Sequence, residues 1–213
     1  MEIYKLVFNP IDVNTYIIAD SSGDCAIVDC GCYDAEEFRE FTNFLEEKKL
    51  NPVLLLNTHC HLDHIFGDIF MKEKYGLGAM CHKDDMYNRE QSVNHALLFG
   101  LRMLTPPDPA AFVDDNMLFS FGAIQIKALH VPGHAPGSLA FYIEKENVVF
   151  TGDALFAGSI GRTDLHEGNY ETLINSINSR LFSLPAETIV FPGHGDSTDI
   201  GTEMASNPYF IHT

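Results

Sequence analysis

Short runs rich in β-branched and aromatic residues open the chain, over 3–8, 13–19 and 25–29, separated by Asn9-Pro10 and by Ser21-Ser22-Gly23-Asp24. Runs of this length bounded by turn residues predict three strands in an antiparallel start. From Asp34 to Lys49 the period changes: Phe38, Phe41, Phe44 and Leu45 recur at helical spacing among acids and lysines. Asp34 stands at the N-cap position with Glu37 three residues on, so a helix is expected there, its apolar stripe packed on the sheet. Pro52 then admits a continuous apolar run, 53–57, of the kind buried between two layers. That run leads directly into Thr58-His59-Cys60-His61-Leu62-Asp63-His64.

The second half repeats this logic. Strands are predicted over 117–121, 124–130, 139–144 and 148–151, a helix over 170–182, and a last strand over 188–191. Between the halves, 83–116 is the least regular part, with a helix predicted over 90–103 followed by Thr105-Pro106-Pro107-Asp108-Pro109. We read it as an insertion or rim. Strand-then-helix order in both halves predicts an α+β fold, a four-layer αββα sandwich of two mixed sheets face to face with helices outside, as one domain over 1–213.

Composition narrows the function. Thirteen basic against 30 acidic residues in 213 give a formal charge of −17, which repels phosphate backbones and anionic membrane surfaces, so neither nucleic acid nor membrane is an expected partner. No apolar stretch reaches the roughly 18 residues of a membrane span, and the N-terminus lacks the charged and apolar regions of an export signal. The five cysteines, Cys25, Cys30, Cys32, Cys60 and Cys81, are odd in number and lack zinc-ribbon spacing. They suit free thiols in a reducing compartment, and the cytoplasm is the expected location. Oligomeric state is left open.

The chemistry is concentrated in His59, His61, Asp63 and His64, an H-x-H-x-D-H pattern just after a buried strand. An extended segment projects His59 and His61 to one side, while Asp63 and His64 on the following turn reach a second position nearby. Imidazole and carboxylate suit zinc, iron or manganese, and the lack of a cysteine donor disfavours a purely structural zinc site. Cys60 is expected to point away. Three isolated donors share this setting: His134 in Val131-Pro132-Gly133-His134-Ala135-Pro136-Gly137-Ser138, Asp153 in Phe150-Thr151-Gly152-Asp153, and His194 in Phe191-Pro192-Gly193-His194-Gly195. Each follows an apolar β-run and is flanked by Gly or Pro, which place a side chain at a sheet edge and let other groups approach closely. Seven donors exceed one tetrahedral ion and suit two ions sharing a bridging carboxylate and a bridging water or hydroxide.

The segments T-H-C-H-L-D-H, P-G-H-A-P-G-S, T-G-D-A-L-F, G-R-T-D and P-G-H-G, in that order, resemble the metallo-β-lactamase superfamily across nearly the whole chain. Within it the sequence is most similar to the glyoxalase II-like hydrolases, in particular short bacterial members that consist of the metal-binding domain alone. The resemblance implies one metal held by His59, His61 and His134, a second by Asp63, His64 and His194, and Asp153 bridging both. It implies two divalent ions, zinc first, with iron or manganese as alternatives. Asp29 matches an acidic position near the family's site and serves either a ligand from behind or its own turn. Arg162 fits the family's G-R segment, there to stabilise its loop or to meet an anionic substrate. His82, His95, His130, His166 and His212 match no ligand position.

A hydroxide held between two divalent ions is a nucleophile at neutral pH, so hydrolysis of an activated acyl bond is expected, with Asp63 orienting the nucleophile while ligating. The resemblance points to a thioester such as S-lactoylglutathione or another acyl thiol. Antibiotic-destroying relatives are exported and lack the bridging Asp, which disfavours that branch. The rival is the persulfide dioxygenase branch, with a single iron on the equivalents of His59, His134 and Asp153; Asn57-Thr58-His59-Cys60-His61 reads like it, whereas Pro192-Gly193-His194-Gly195 and Asn207-Pro208-Tyr209-Phe210 read like the hydrolases. In a different class lies a di-iron redox module partnering a flavoprotein, whose fused forms carry a flavodoxin domain absent here. Only residues 195–213 follow His194, too few for the helical domain that contributes much of the glutathione site in longer glyoxalases II. Specificity then falls to the rim, over 83–116 with Met86, Tyr87, Phe99 and Met103, although such an apolar set belongs to a core more often than to a pocket. A different thioester, a small ester or a lactone would also fit.

Overall fold

The first half of the chain, in a computed structural model that describes residues 1–211, forms one six-stranded sheet in sequence order: β1 (Glu2–Phe8), β2 (Val13–Ala19), β3 (Asp24–Val28), β4 (Asn51–Leu56), β5 (Met80–Cys81) and β6 (Ala111–Phe112). The first three strands pair antiparallel; from β3 onward the pairs are parallel. Parallel neighbours need crossovers, and helices supply them: α1 (Ala35–Lys48) between β3 and β4, α2 (Leu62–Ile65) and α3 (Asp68–Tyr75) between β4 and β5, and α4 (Met86–Leu98) between β5 and β6. The second sheet comprises β7 (Leu118–Phe121), β8 (Ile124–His130), β9 (Leu139–Ile143) and β10 (Val148–Gly152). A small hairpin, β11 (Leu155–Phe156) and β12 (Ser159–Ile160), follows; after α5 (Tyr170–Ser176) come β13 (Ile189–Pro192), β14 (Thr198–Asp199) and α6 (Ile200–Ser206). The spatial order of this sheet is β14-β13-β10-β9-β8-β7.

Alternate residues of the central strands face two apolar layers, which fixes the four-layer arrangement. Along β2, Tyr16 and Ile18 point between the sheets and meet Phe141 and Phe150 from β9 and β10. Ile17 and Ala19 point outward, into a second cluster with Phe38, Phe41 and Leu45 of α1 and Met71 of α3. On the far side, Val149 and Val190 pack under Leu173 of α5 and Ile200 of α6. The fold is the four-layer αββα sandwich that the sequence predicts.

Several predicted boundaries move. Asp34 caps α1 by accepting from Glu36 N–H and Glu37 N–H, but the Glu37 carboxylate does not close the box on its own helix; it takes Tyr33 N–H at 2.7 Å and Asn9 N–H at 3.0 Å, tying the helix start to the β1–β2 turn. The helix predicted over 90–103 runs instead as α4 over Met86–Leu98, after a 3₁₀ turn at Lys83–Asp85, and Gly100 at φ +72° ends the apolar spacing. The helix predicted over 170–182 begins as α5 and widens to a π turn over Ile177–Leu181. The short α2, α3 and α6 and the hairpin are structure the hydrophobic pattern does not announce. Among the described residues no helix is long and apolar enough to cross a membrane.

Candidate metal centre

β3 and β4 end side by side, and their last residues prepare the site. Asp29, just past β3 in the left-handed region at φ 55°, accepts Thr58 N–H on Oδ1 at 2.7 Å and Thr58 Oγ1–H on Oδ2 at 2.6 Å. The same Oδ2 takes His64 Nδ1–H at 2.9 Å. One carboxylate thereby fixes both the entry to the histidine motif and the ring at its end. Asp29 thus stands behind a donor, as the resemblance allows, and not only in a turn.

Other main-chain oxygens fix the remaining rings. His134 Nδ1–H donates to the Arg162 carbonyl at 2.8 Å and His194 Nδ1–H to the Asp12 carbonyl at 3.1 Å, while His59 Nδ1 lies 3.2 Å from Thr58 Oγ1. In each case the opposite nitrogen, Nε2, is left as an acceptor aimed inward.

These inward atoms form two groups. His134 Nε2 lies 2.9 Å from His61 Nδ1 and 3.2 Å from His59 Nε2. A tetrahedral ion with bonds of about 2.0–2.1 Å spaces its nitrogens about 3.3 Å apart, close to this arrangement. In the second group Asp63 Oδ2 stands 3.2 Å from His194 Nε2 and 3.5 Å from His64 Nε2. Asp153 lies between the groups: Oδ1 is 3.3 Å from His64 Nε2, and Oδ2 is 3.6 Å from His194 Nε2 and 3.7 Å from His134 Nε2. All seven predicted donors are thus brought together, with the donor atoms of each group within 4.8 Å of one another. Gly193 is required by this crowding, since a Cβ there would lie 2.2 Å from Asp153 Oδ1.

Two observations test whether a cation fits. His61 Nε2, His64 Nε2 and Asp153 Oδ1 are buried with no hydrogen bond of adequate geometry, a costly condition that a coordinated ion removes for the latter two. The electrostatics point the same way. Burial, reinforced by the neighbouring rings, pushes His59 well below the usual imidazole range and takes His61 down to about 3. At His64 burial again opposes the charge, but Asp153, Asp63 and Asp29 outweigh it and hold the ring well above that range. Burial opposes ionisation of Asp63 and Asp153 too, yet the facing rings, His64 first, hold both carboxyls below the usual carboxylate value. Three carboxylates around one ring concentrate negative charge, and divalent ions answer it more fully than one proton. The donors therefore fit divalent metal.

Other predicted residues take plainer places. Cys60 turns away and packs with Ile65 and Cys81, and its N–H donates to Asp85 Oδ2. Arg162 serves its loop through the carbonyl on His134, while its guanidinium makes a bidentate pair with Asp164 at 2.7 and 2.8 Å. His95 and His166 line the cavity above the donors without joining either group. His82 and His130 stack 4.2 Å apart with Asp84 nearby, but His82 Nδ1 accepts Asp84 N–H and His130 Nε2 donates to the Pro136 carbonyl. His212 lies outside the described residues. Of the rim set, Phe99 lines the cavity, Met86 and Met103 pack on the Cys60 cluster, and Tyr87 stacks on His166 at 3.6 Å.

Sequence reasoning missed the supports. Thr58 was visible as a hydroxyl closing an apolar run, but the Asp12 carbonyl is main chain and leaves no signal. Also missed is a buried pair beneath the motif, Arg89 Nη1 to Asp68 Oδ2 at 2.9 Å, with Asn57 beside it.

The family model described as the metallo-beta-lactamase superfamily matches residues 8–194. The hydroxyacylglutathione hydrolase GloC of Haemophilus influenzae is 37% identical, covering 98% of both chains. The probable metallo-hydrolase YqgX of Bacillus subtilis is 35% identical over 98% of this chain and 97% of its own. Among solved structures, BLEG-1 B3 metallo-beta-lactamase superposes with a TM-score of 0.91 at 32% identity, covering 99% of this chain and 100% of that one. TTHA1623 in a di-iron-bound form superposes with a TM-score of 0.87 at 34% identity, covering 97% and 99%.

Proposed function

The chain belongs to the metallo-beta-lactamase superfamily, and from that membership and the placement of its donors we propose a binuclear-metal hydrolase that cleaves acyl thioesters. The observation that carries this reading is the pair of donor groups with Asp153 between them. His59, His61 and His134 would hold one ion, Asp63, His64 and His194 the other, and Asp153 both. Two divalent ions there, zinc or, as in the di-iron form of the similar TTHA1623, iron, supply a nucleophile at neutral pH and a Lewis acid for the acyl oxygen.

The chain's own residues position the reaction. Asp63, on the cavity floor beside His194 and His64, orients the attacking water. Asp29 keeps His64 in place, and the Asp12 and Arg162 carbonyls do the same for His194 and His134. A bond forms between the water oxygen and the acyl carbon, the carbon–sulfur bond breaks, and the thiolate leaves with the electron pair. The proton given up by water ends on sulfur, and the products are a carboxylic acid and a thiol.

The name of the GloC relative supports a thioester as substrate class. The completeness of the second donor group, His194 included, weighs against a single-iron dioxygenase. The five cysteines are unpaired thiols, which supports a reducing compartment. To test the reaction, thiol release from S-lactoylglutathione and from S-acetyl-N-acetylcysteamine is followed beside oxygen uptake with glutathione persulfide and opening of a chromogenic β-lactam. One thiol per acid formed, without oxygen uptake, is expected. Oxygen uptake, or β-lactam opening with no thiol release, would overturn the reading.

A further inference from the structure

The wall of the cavity above the donors differs in kind from its floor. The cavity measures ≈ 360 Å³, and Ile11, Leu62, Leu98, Phe99 and Leu165 line it. Leu98 and Phe99 are 83% and 59% exposed, at the end of α4, and Leu97 beside them is 63% exposed. Consecutive large apolar side chains left in solvent contribute nothing to the folded core, and such a patch marks a surface that something covers. Its continuity with the donor floor identifies what covers it: a molecule whose reacting bond sits on the donors.

Charge decides which part of that molecule fits. Among the described residues lining the cavity, Arg162 is the single permanently cationic side chain, and its guanidinium is already engaged by both oxygens of Asp164. A substrate with carboxylates on its thiol arm, glutathione being the example, would find no free cation, and it would approach a chain of net charge −17. A hydrocarbon acyl chain, carried on an uncharged thiol, would instead bury Leu98, Phe99 and Ile11 along with itself.

We infer that Leu98, Phe99 and Ile11 form a hydrocarbon subsite beside the metal centre, and that the substrates are thioesters carrying a medium-length aliphatic acyl chain. The inference rests on the hydrolase reading above and specifies its substrate class. Each methylene fully buried in such a site raises affinity about fourfold. Partial burial over the six methylenes that separate octanoyl from acetyl gives about 100-fold in kcat/KM.

The test compares kcat/KM for acetyl, butyryl, hexanoyl and octanoyl thioesters of N-acetylcysteamine with that for S-lactoylglutathione. The value is expected to climb with chain length and to exceed that of the glutathione thioester. Leu98→Ser and Phe99→Ser, at exposed positions where folding is not at stake, should each lower the octanoyl-to-acetyl ratio about fivefold or more. Leu118→Ser, 55% exposed on the edge strand β7, should leave that ratio unchanged. Binding of the non-hydrolysable thioether S-octyl-N-acetylcysteamine, compared with the S-ethyl homologue by calorimetry, separates the subsite from the reaction. Tighter binding of the octyl compound, lost in Leu98→Ser, upholds the subsite even if no thioester is cleaved. Hydrolysis without chain-length dependence, a preference for S-lactoylglutathione, or a Leu98→Ser variant that changes only oligomeric state would each overturn it.

Discussion

At the floor of the cavity His59, His64 and His134 are buried, and the ring nitrogens facing away from the donor groups meet Thr58, Asp29 and the Arg162 carbonyl. At the rim Leu98 and Phe99 stand largely in solvent, on a helix end followed by residues 101–109 with no regular structure. The floor is held by directional bonds, from Asp29 to Thr58 and His64 where β3 and β4 end side by side and from His134 to the Arg162 carbonyl, and the donors they fix are residue types that the sequence shows. The rim is held where irregular main chain meets single side chains, Arg89 Nη2–H to the Pro107 carbonyl at 2.7 Å and Arg102 N–H to the Tyr33 hydroxyl oxygen at 3.1 Å. Chemistry and specificity are thus carried by parts with different tolerance for change.

That contrast is broken hardest at the one side chain shared by both donor groups. Asp153→Asn removes a negative oxygen from between them and is expected to lower kcat by about a thousandfold and metal content with it, read by thiol release and elemental analysis, while the fold persists by circular dichroism. Next comes the buried pair that joins floor to rim. Arg89→Met leaves Asp68 without its partner and takes both Nε and Nη2 from the Pro107 carbonyl, so a loss of about 3–5 kcal/mol is expected in denaturant titration.

Asp68 itself gives a pH signature. Burial raises its carboxyl to about 6 against the pull of Arg89, so between about pH 4 and 6 the folded chain holds a proton that the unfolded chain has released. This contribution is present below about pH 4 and lost as pH rises through 6. Asp68→Asn should therefore gain on the unmodified protein by about 3 kcal/mol across that window, with a constant difference above it. A smaller effect is expected at Asp29→Asn, which keeps the shape behind His64 but withdraws the charge; metal affinity should fall about 10–100-fold in a chelator competition.

The sequence made the floor readable for a physical reason. Donor residues after apolar strands have few bland explanations when four fall within His59–His64, and β2 and β10, buried along their whole length, are strands covered on both faces as a two-sheet sandwich requires. The rim resisted because its apolar residues serve two ends. Val93, Leu97 and Leu101 carry a helical spacing past the point where Gly100 stops the helix, so the pattern extended α4 too far. The single turn of α2 and the two-residue strands β5 and β6 are too short to show a period at all. The bond from His194 to the Asp12 carbonyl depends on main chain brought together by the fold, and no residue type records it.

Elemental analysis of the protein purified without added metal, alongside His194→Ala, counts the ions that the seven donors hold. About two divalent ions per chain, falling to about one with loss of thioester cleavage in the variant, is the expected result. One ion per chain in both proteins, with cleavage undiminished when His194 is removed, would contradict a two-ion centre built around Asp153.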